Sequence, residues 1–292
     1  MHGGGSHGTA AAKHSKRLAI ALAMTATYMV AEIIGGLITG SLALLADAAH
    51  MATDVAGLSL ALLAIRFAAR PATPQKTYGF LRMEVLSALT NAVILLLLTI
   101  YIIYEAYQRF LAPPEVLSGP MLIVALIGLA VNLVSMWLLI GGSKESLNVK
   151  GAYFEVLGDM LGSVGVIAAS LIIMFTGWQL ADPLIGAGIG LFIVPRTWIL
   201  LKQATNILME STPANVDVEK MTASLGSIPG VKAVHDLHVW TITSGYVCLT
   251  AHVVVEDGPV SETERLRQDL CELLWRRYRV SHVTLQLETA HL

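Results

Sequence analysis

The stretch SLALLADAAHMATDVAGLSLALL, residues 41–63, decides the architecture. It has the length and apolarity of a membrane-spanning helix, since about 30 Å of hydrocarbon takes roughly 20 residues to cross. Yet Asp47, His50 and Asp54 stand in its middle. A charged group at the centre of a span costs about 2.5 to 3.5 kcal/mol on insertion scales, so such groups need partners or a task. Their spacing of i, i+3 and i+7 puts all three on one helical stripe, and the other faces are mostly Leu, Ala, Val and Met. His50 and Asp54, four residues apart, sit one turn from each other and can touch the same small ion.

The rest of the chain agrees with a membrane setting. Its 292 residues are 55% hydrophobic and only 14% charged, with a mean hydropathy of +0.66, which excludes an ordinary soluble domain. Apolar runs long enough to span occur six times, at about 17–38, 41–65, 83–107, 119–141, 152–175 and 180–202, so both termini share one side. The first run is too long for a signal peptide and lacks a small-residue cleavage site, so it is expected in the mature protein. Lys13, Lys16 and Arg17 precede span one, Arg70 and Lys76 follow span two, and Lys144 and Lys150 follow span four. The opposite loops hold almost no cations, Arg109 being the main exception. The positive-inside rule therefore puts the N-terminus, those two loops and the C-terminal tail in the cytoplasm.

Other classes are disfavoured. A net charge of -2 and a pI near 6.5 give no basic footprint for nucleic acid. Cys248 and Cys271 lack CxxC spacing, so neither a disulfide framework nor a thiolate metal site is expected, and a reduced compartment suits them.

The fifth span repeats the device of the second. GAYFEVLGDMLGSVGV places Glu155 and Asp159 at i, i+4 on one face, with Gly158, Gly162 and Gly165 as small residues that let membrane helices approach. Where spans two and five cross, His50, Asp54, Glu155 and Asp159 converge as one nitrogen and up to three carboxylates. That donor set suits a borderline divalent ion, zinc in tetrahedral geometry above all. Without thiolates the ion is held reversibly, and because the ligands bind only when deprotonated, protons compete for them. This is the chemistry of a metal/proton exchanger. Asp47 admits two readings, a partner that orients His50 or simple packing. Glu32, Asn91, Asn132 and Asp182 read as structural or vestibule-lining.

After about residue 205 charges return at soluble density. Asp217 to Leu225 reads as a helix with Asp217 a candidate cap. VKAVHDLHVWTIT and GYVCLTAHVVVE read as strands joined by a turn at Ser244 and Gly245, residues 260–278 as a helix, and HVTLQLE as a third strand. The expected organisation is a flexible Gly/His-containing tail (1–16), a six-helix all-α transmembrane domain (17–205) and a small cytoplasmic α+β domain of order α-β-β-α-β (206–292). In an unbroken strand His235 and His238 point to opposite faces. The two-residue turn puts Leu237 opposite His252, so that His252 is a diagonal neighbour of His235 on one face, the better ligand pair.

SLALLADAAHMATD, EVLGDMLGSVGV and GVKAVHDLHVWTITSG together resemble the cation diffusion facilitator family, most closely its bacterial cobalt-zinc-cadmium resistance branch, over about residues 16–288. The resemblance implies a homodimeric, multi-pass exporter of the bacterial inner membrane that exchanges cytoplasmic Zn2+ for protons, with a metallochaperone-like cytoplasmic domain that senses metal. By motif position His50 and Asp54 match the family's second-helix ligand pair, and Glu155 and Asp159 its fifth-helix pair. Many zinc members carry His where this chain has Glu155; the more anionic, harder site is compatible with Co2+ or Cd2+ as further substrates. The loop RPATPQKTYGFLRME contains neither Asp nor His, so no metal is expected there. Arg82 matches a position that forms a charge interlock in relatives, with Glu210 as its partner here; ordinary positive-inside anchoring is the alternative.

The resemblance also implies a cytoplasmic metal site at His235, His252, Gln286 and Glu288. Gln286 and Glu288 fall where relatives have a His and an Asp that bind a regulatory zinc pair. Gln is a poor zinc ligand, which leaves this site weaker, mononuclear, or rebuilt with His282 or His238. His2, His7 and His14 form a further set able to gather metal. Two other functions fit less well: a membrane metalloenzyme, which would need a nucleophile or base such as a HExxH helix that the sequence does not offer, and a metal sensor without transport, which would need an effector domain in the tail. The chain is therefore expected not to be an enzyme.

Overall fold

A computed structural model describes residues 15–68, 70–140 and 147–289. The tail carrying His2, His7 and His14, and Lys144 with its loop, lie outside these. Six long helices come first: α1 (Ser15–Thr39), α2 (Leu42–Ala68), α3 (Met83–Leu111), α4 (Ser118–Ile140), α5 (Leu147–Thr176) and α6 (Ala181–Leu208). Four segments, Met83–Leu111, Ser118–Ile140, Tyr153–Thr176 and Ala181–Leu208, are individually long and apolar enough to cross a membrane, and α1 adds the apolar Ala23–Thr39. The chain divides into two compact units, one running to Ser59 and resuming over Asn91–Trp198, the other made of Leu60–Thr90 and the residues from Ile199 onward.

In the first unit the start of α2 is fully capped. Gly40, at φ 71°, ends the path from α1 in a conformation that favours glycine. Asp182, wholly buried on α6, accepts from Ser41 Oγ (2.5 Å), Leu42 N (2.7 Å) and Ala43 N (3.2 Å), and Ser41 Oγ accepts from Leu44 N (3.1 Å). Helix N-termini leave amides unpaired, and buried ones need a partner within the protein. Arg109, the cation that broke the loop rule, donates to Gly40 O and Glu105 Oε1 and lies 3.8 Å from Asp182 Oδ2. Its charge therefore serves this junction. α4 packs against both α1 and α5. Small residues allow that approach: a Cβ at Gly35 would stand 2.9 Å from Val124 Cγ2, and one at Gly128 would strike the Tyr28 ring. Ala43, Leu44, Met121, Ala125, Val166 and Ala169 form the buried apolar centre.

The second unit holds an α/β layer. α7 (Val218–Gly226) is capped by Asp217, whose side chain accepts from Lys220 N at 3.1 Å. β1 (Val231–Thr243) and β2 (Tyr246–Val255) pair antiparallel across Ser244 and Gly245, and Gly245 takes φ 76°. β3 (His282–Glu288) lies parallel to β2, which requires a crossover; α8 (Val260–Tyr278) provides it. The sheet order is β1-β2-β3. Met221 and Leu225 of α7 and Leu270 and Leu274 of α8 bury themselves against Val239, Leu249, Ala251 and Val253, each side chain contributing about 1.5–3 kcal/mol in burial if large and apolar.

The β1–β2 register differs from the expected one. His252 pairs directly with His235 rather than with Leu237. Register shifts between Thr241 and Thr243 and between His235 and His238 add two residues to β1 relative to β2, and at the second Asp236 adopts φ 48°. Such a bulge leaves an extra residue unpaired and re-aims the side chains beside it.

Candidate metal centres

In the first unit α2 presents His50 and Asp54 to α5. His50 Nε2 lies 3.6 Å from Asp54 Oδ2, and ligand atoms of His50, Asp54 and Glu155 all lie within 4.8 Å of one another. A tetrahedral ion with bonds of about 2.0–2.2 Å sets its ligands roughly 3.4 Å apart, so small side-chain rotations complete the approach. His50 Nδ1 and Asp54 Oδ2 are buried without hydrogen-bond partners. Leaving such atoms unpaired costs about 1–3 kcal/mol each, which is tolerated where a ligand satisfies them.

Asp159 lies one turn along α5, 3% exposed with Oδ1 unpartnered, outside the group of three. Asp47 is 1% exposed, and its carboxyl is set against α5: a Cβ at Gly162 would stand 2.8 Å from Asp47 Cγ. His50 Nδ1 has no partner, so Asp47 does not hold the imidazole, and the packing reading is the one this geometry favours. Of the three glycines read as approach points, Gly162 meets Asp47 and Gly165 meets Ile185, whereas Gly158 has nothing within 4 Å. Glu32 is fully buried and accepts from Tyr28 OH at 2.9 Å, Asn132 Nδ2 donates to Ser163 Oγ at 3.4 Å, and Asn91 packs on Gly57.

Arg196 of α6 is the member of this site that the sequence reading passed over. Its Nη1 and Nη2 donate to Glu155 Oε1 and Oε2, both at 2.8 Å. The available signal was the arginine itself, next to Pro195 inside the apolar run 180–202, where a cation needs a named partner.

The second unit holds a second group. His235, His252 and Glu288 offer ligand atoms within 4.8 Å of one another. His235 Nε2 is 2.5 Å from Glu288 Oε1, His252 Nδ1 is 3.4 Å from Glu288 Oε2, and the two rings are 5.2 Å apart. The bulge at Asp236 produces this: two histidines become directly cross-strand, and Glu288 reaches them from β3. The hydrogen bond from His235 holds the Glu288 carboxyl below its ordinary range. Gln286 pairs with His252 in register and donates to Glu288 Oε2 at 3.4 Å, so it buttresses the carboxylate. His238 is paired with Asp236 Oδ1 at 3.0 Å, and His282 packs edge-on to Tyr78; neither joins the group. Asp236 Oδ2 lies 3.8 Å from His252 Nε2 and is a fourth donor within reach. Two imidazoles with carboxylates fit a zinc-like ion. Nearby, Arg82 Nη2 donates to Glu210 Oε1 at 2.6 Å, the partner expected for it.

Two family models match this chain in sequence: the cation efflux transmembrane domain over residues 18–209 and the cation efflux protein cytoplasmic domain over residues 213–290. The chain belongs to the cation efflux family. As a cation efflux protein, that is, a cation diffusion facilitator, it is a multi-pass membrane protein whose activity is the efflux of metal cations. It is 48% identical over 277 residues to the metal cation efflux system protein CzcD of Cupriavidus metallidurans, covering 95% of this chain and 87% of that one. It is 43% identical over 277 residues to the zinc transporter ZitB of Escherichia coli, covering 94% and 88%. It is 42% identical over 279 residues to a cadmium, cobalt and zinc/H(+)-K(+) antiporter of Bacillus subtilis, covering 94% and 89%. A solved structure of the metal-bound C-terminal domain of the CzcD transporter from Cuprividus metallidurans matches at 40% identity and TM-score 0.23, covering 25% of this chain and 99% of that one.

Proposed function

We propose that this cation efflux protein carries Zn2+, and Cd2+ or Co2+ beside it, out of the cytoplasm in exchange for protons, through an intramembrane site made by His50, Asp54, Glu155 and Asp159. The observation that carries this reading is the convergence of His50, Asp54 and Glu155 within 4.8 Å from two helices of an apolar unit. An imidazole and two carboxylates without thiolate bind a borderline ion firmly enough to select it and loosely enough to let it go. Asp159, buried one turn along α5 with a free oxygen, supplies the fourth donor when the helices adjust. Every ligand must lose its proton to bind the ion, so metal and protons exclude each other at one place, and their alternate occupancy couples the two flows. His235, His252 and Glu288, with Gln286 behind them, bind the same ion on the cytoplasmic side and report its level. The protein works as a homodimer in the bacterial inner membrane with both termini cytoplasmic; the Lys and Arg distribution supports that orientation.

Metal-dependent proton flux in proteoliposomes tests this, comparing the wild type with Asp54→Ala and Asp159→Ala. Each variant is expected to lose most of the flux, and unchanged flux in both sinks the site. Glu155→His in the same assay, run with Zn2+, Cd2+, Co2+ and Mn2+, is expected to narrow the choice toward zinc.

A further inference from the structure

Arg196 holds both oxygens of Glu155. Those oxygens belong to the same carboxylate that converges with His50 and Asp54, so a cation arriving at the group finds one of its ligands already engaged. The pair is built across two helices, α5 and α6, and not within one turn. A planar guanidinium matched to a carboxylate in a two-bond fork is the strongest common form of ion pair, and it keeps its charge at any pH the protein meets. Arg196 also lies within electrostatic reach of Asp54 and Asp159, so its charge opposes the whole anionic group and not Glu155 alone. Its side chain is 58% exposed in the protomer, against 25% for Glu155, so Arg196 is the less enclosed member of the pair.

We propose that Arg196 is a displaceable counter-cation that competes with the substrate ion for Glu155 and so sets the affinity of the transport site. This rests on the assignment of Glu155 to that site. Loading requires the guanidinium to release at least one oxygen, and its return speeds the ion's departure. Between ions the pair neutralises a carboxylate that would otherwise sit beside Asp54 as a like charge. Arg196 is a positioning and affinity-setting residue; it does not itself touch the ion.

The test uses the full-length protein in detergent and in proteoliposomes, with Zn2+ as the probe. Zinc affinity is read by competition with a chelating dye in a His235→Ala, His252→Ala background, so that the cytoplasmic group does not contribute, and transport is read as KM and kcat separately. Arg196→Gln is expected to bind zinc about tenfold more tightly, with KM falling and kcat falling with it as release slows. Arg196→Lys, which engages one oxygen at a time, is expected to tighten binding about threefold and keeps the test alive where the Gln variant does not accumulate. In a Glu155→Gln background, adding Arg196→Gln should change affinity far less, because the competitor has lost its main target and only its longer-range effect on Asp54 and Asp159 remains. Wild-type or weaker affinity in the single Arg196 variants, or an undiminished effect in the Glu155→Gln background, overturns the proposal. Asp54→Ala separates the two readings: loss of zinc-driven transport there with no change in the Arg196 variants defeats only the counter-cation, whereas retained transport defeats the site.

Discussion

Gly162 offers the sharpest single perturbation, because its neighbour Gly158 on the same helix supplies the control. An alanine at 162 would put its Cβ 2.8 Å from Asp47 Cγ, about 1 Å inside ordinary contact. Asp47 is 1% exposed and has no room to swing toward water, so the strain falls on the packing of α2 against α5. Overpacking of this kind costs about 1–3 kcal/mol. It also shifts the helix that carries His50 and Asp54 relative to the one that carries Glu155, for which a 10- to 100-fold loss of zinc affinity is the expected scale when a supporting contact is disturbed. At Gly158 a Cβ meets nothing within 4 Å, and alanine is favoured over glycine in a helix by about 0.8–1 kcal/mol. Thermal unfolding in detergent, followed by tryptophan fluorescence, and a zinc titration on each variant in a His235→Ala, His252→Ala background measure both effects. Gly162→Ala should melt several degrees lower and bind zinc weakly, while Gly158→Ala should match or exceed the wild type in melting temperature. Equal melting temperatures for the two variants, with zinc affinity at the wild-type level in Gly162→Ala, refute the reasoning.

Three further outcomes are expected. Asp182→Ala strips the caps from Leu42 N and Ala43 N and should destabilise the protein by at least ~2 kcal/mol in thermal melts, since each orphaned buried amide costs about 1–3 kcal/mol; a change below ~0.5 kcal/mol would contradict the capping role. The Glu288 carboxyl is held below its ordinary 4.5 by His235, so the stability it lends is complete above that value and is lost as pH falls through the lowered folded value. Glu288→Gln should therefore flatten the acid limb of a stability profile taken between roughly pH 3 and 6, and an unchanged limb would count against the pair. Arg82 and Glu210 are 40% and 58% exposed, so removing either should cost no more than about 1 kcal/mol of stability. If the pair is an interlock, the exchanged variant carrying Arg82→Glu with Glu210→Arg recovers the transport lost in Arg82→Glu; anchoring by the positive-inside rule predicts no recovery.

The membrane helices were legible because hydropathy is a property of local composition: six apolar runs became α1 to α6. The pairs His50/Asp54 and Glu155/Asp159 were legible because helical periodicity fixes which residues share a face. What one helix does to another was harder to read. Periodicity put Asp159 with Glu155, yet the crossing brings only Glu155 into the group with His50 and Asp54. Asp182 read as a polar residue near an interface, and only the fold gives it the start of α2 to cap. Arg196 carries no signal in the distribution of cations that sets orientation, a bulk property, because its meaning lies in one partner 41 residues away. In the sheet, period-two reasoning made His235 and His252 neighbours on one face but gave the wrong pairing, since a bulge depends on one residue's dihedral angles and leaves no trace in hydrophobic alternation.

That bulge limits which substitutions the cytoplasmic domain tolerates. Asp236, at φ 48°, occupies the left-handed region that Asn, Asp and Gly enter at low cost and β-branched residues do not. Valine at 236 would favour an extended backbone, and a strand restored to simple alternation would carry His235 out of line with His252. Such a variant would keep His235, His252 and Glu288 in its sequence and still pull the two histidines of the proposed cytoplasmic site apart. An inventory of donor residues would register only the lost Asp236 carboxylate and miss the larger defect, because this position asks for a backbone shape as well as a donor atom.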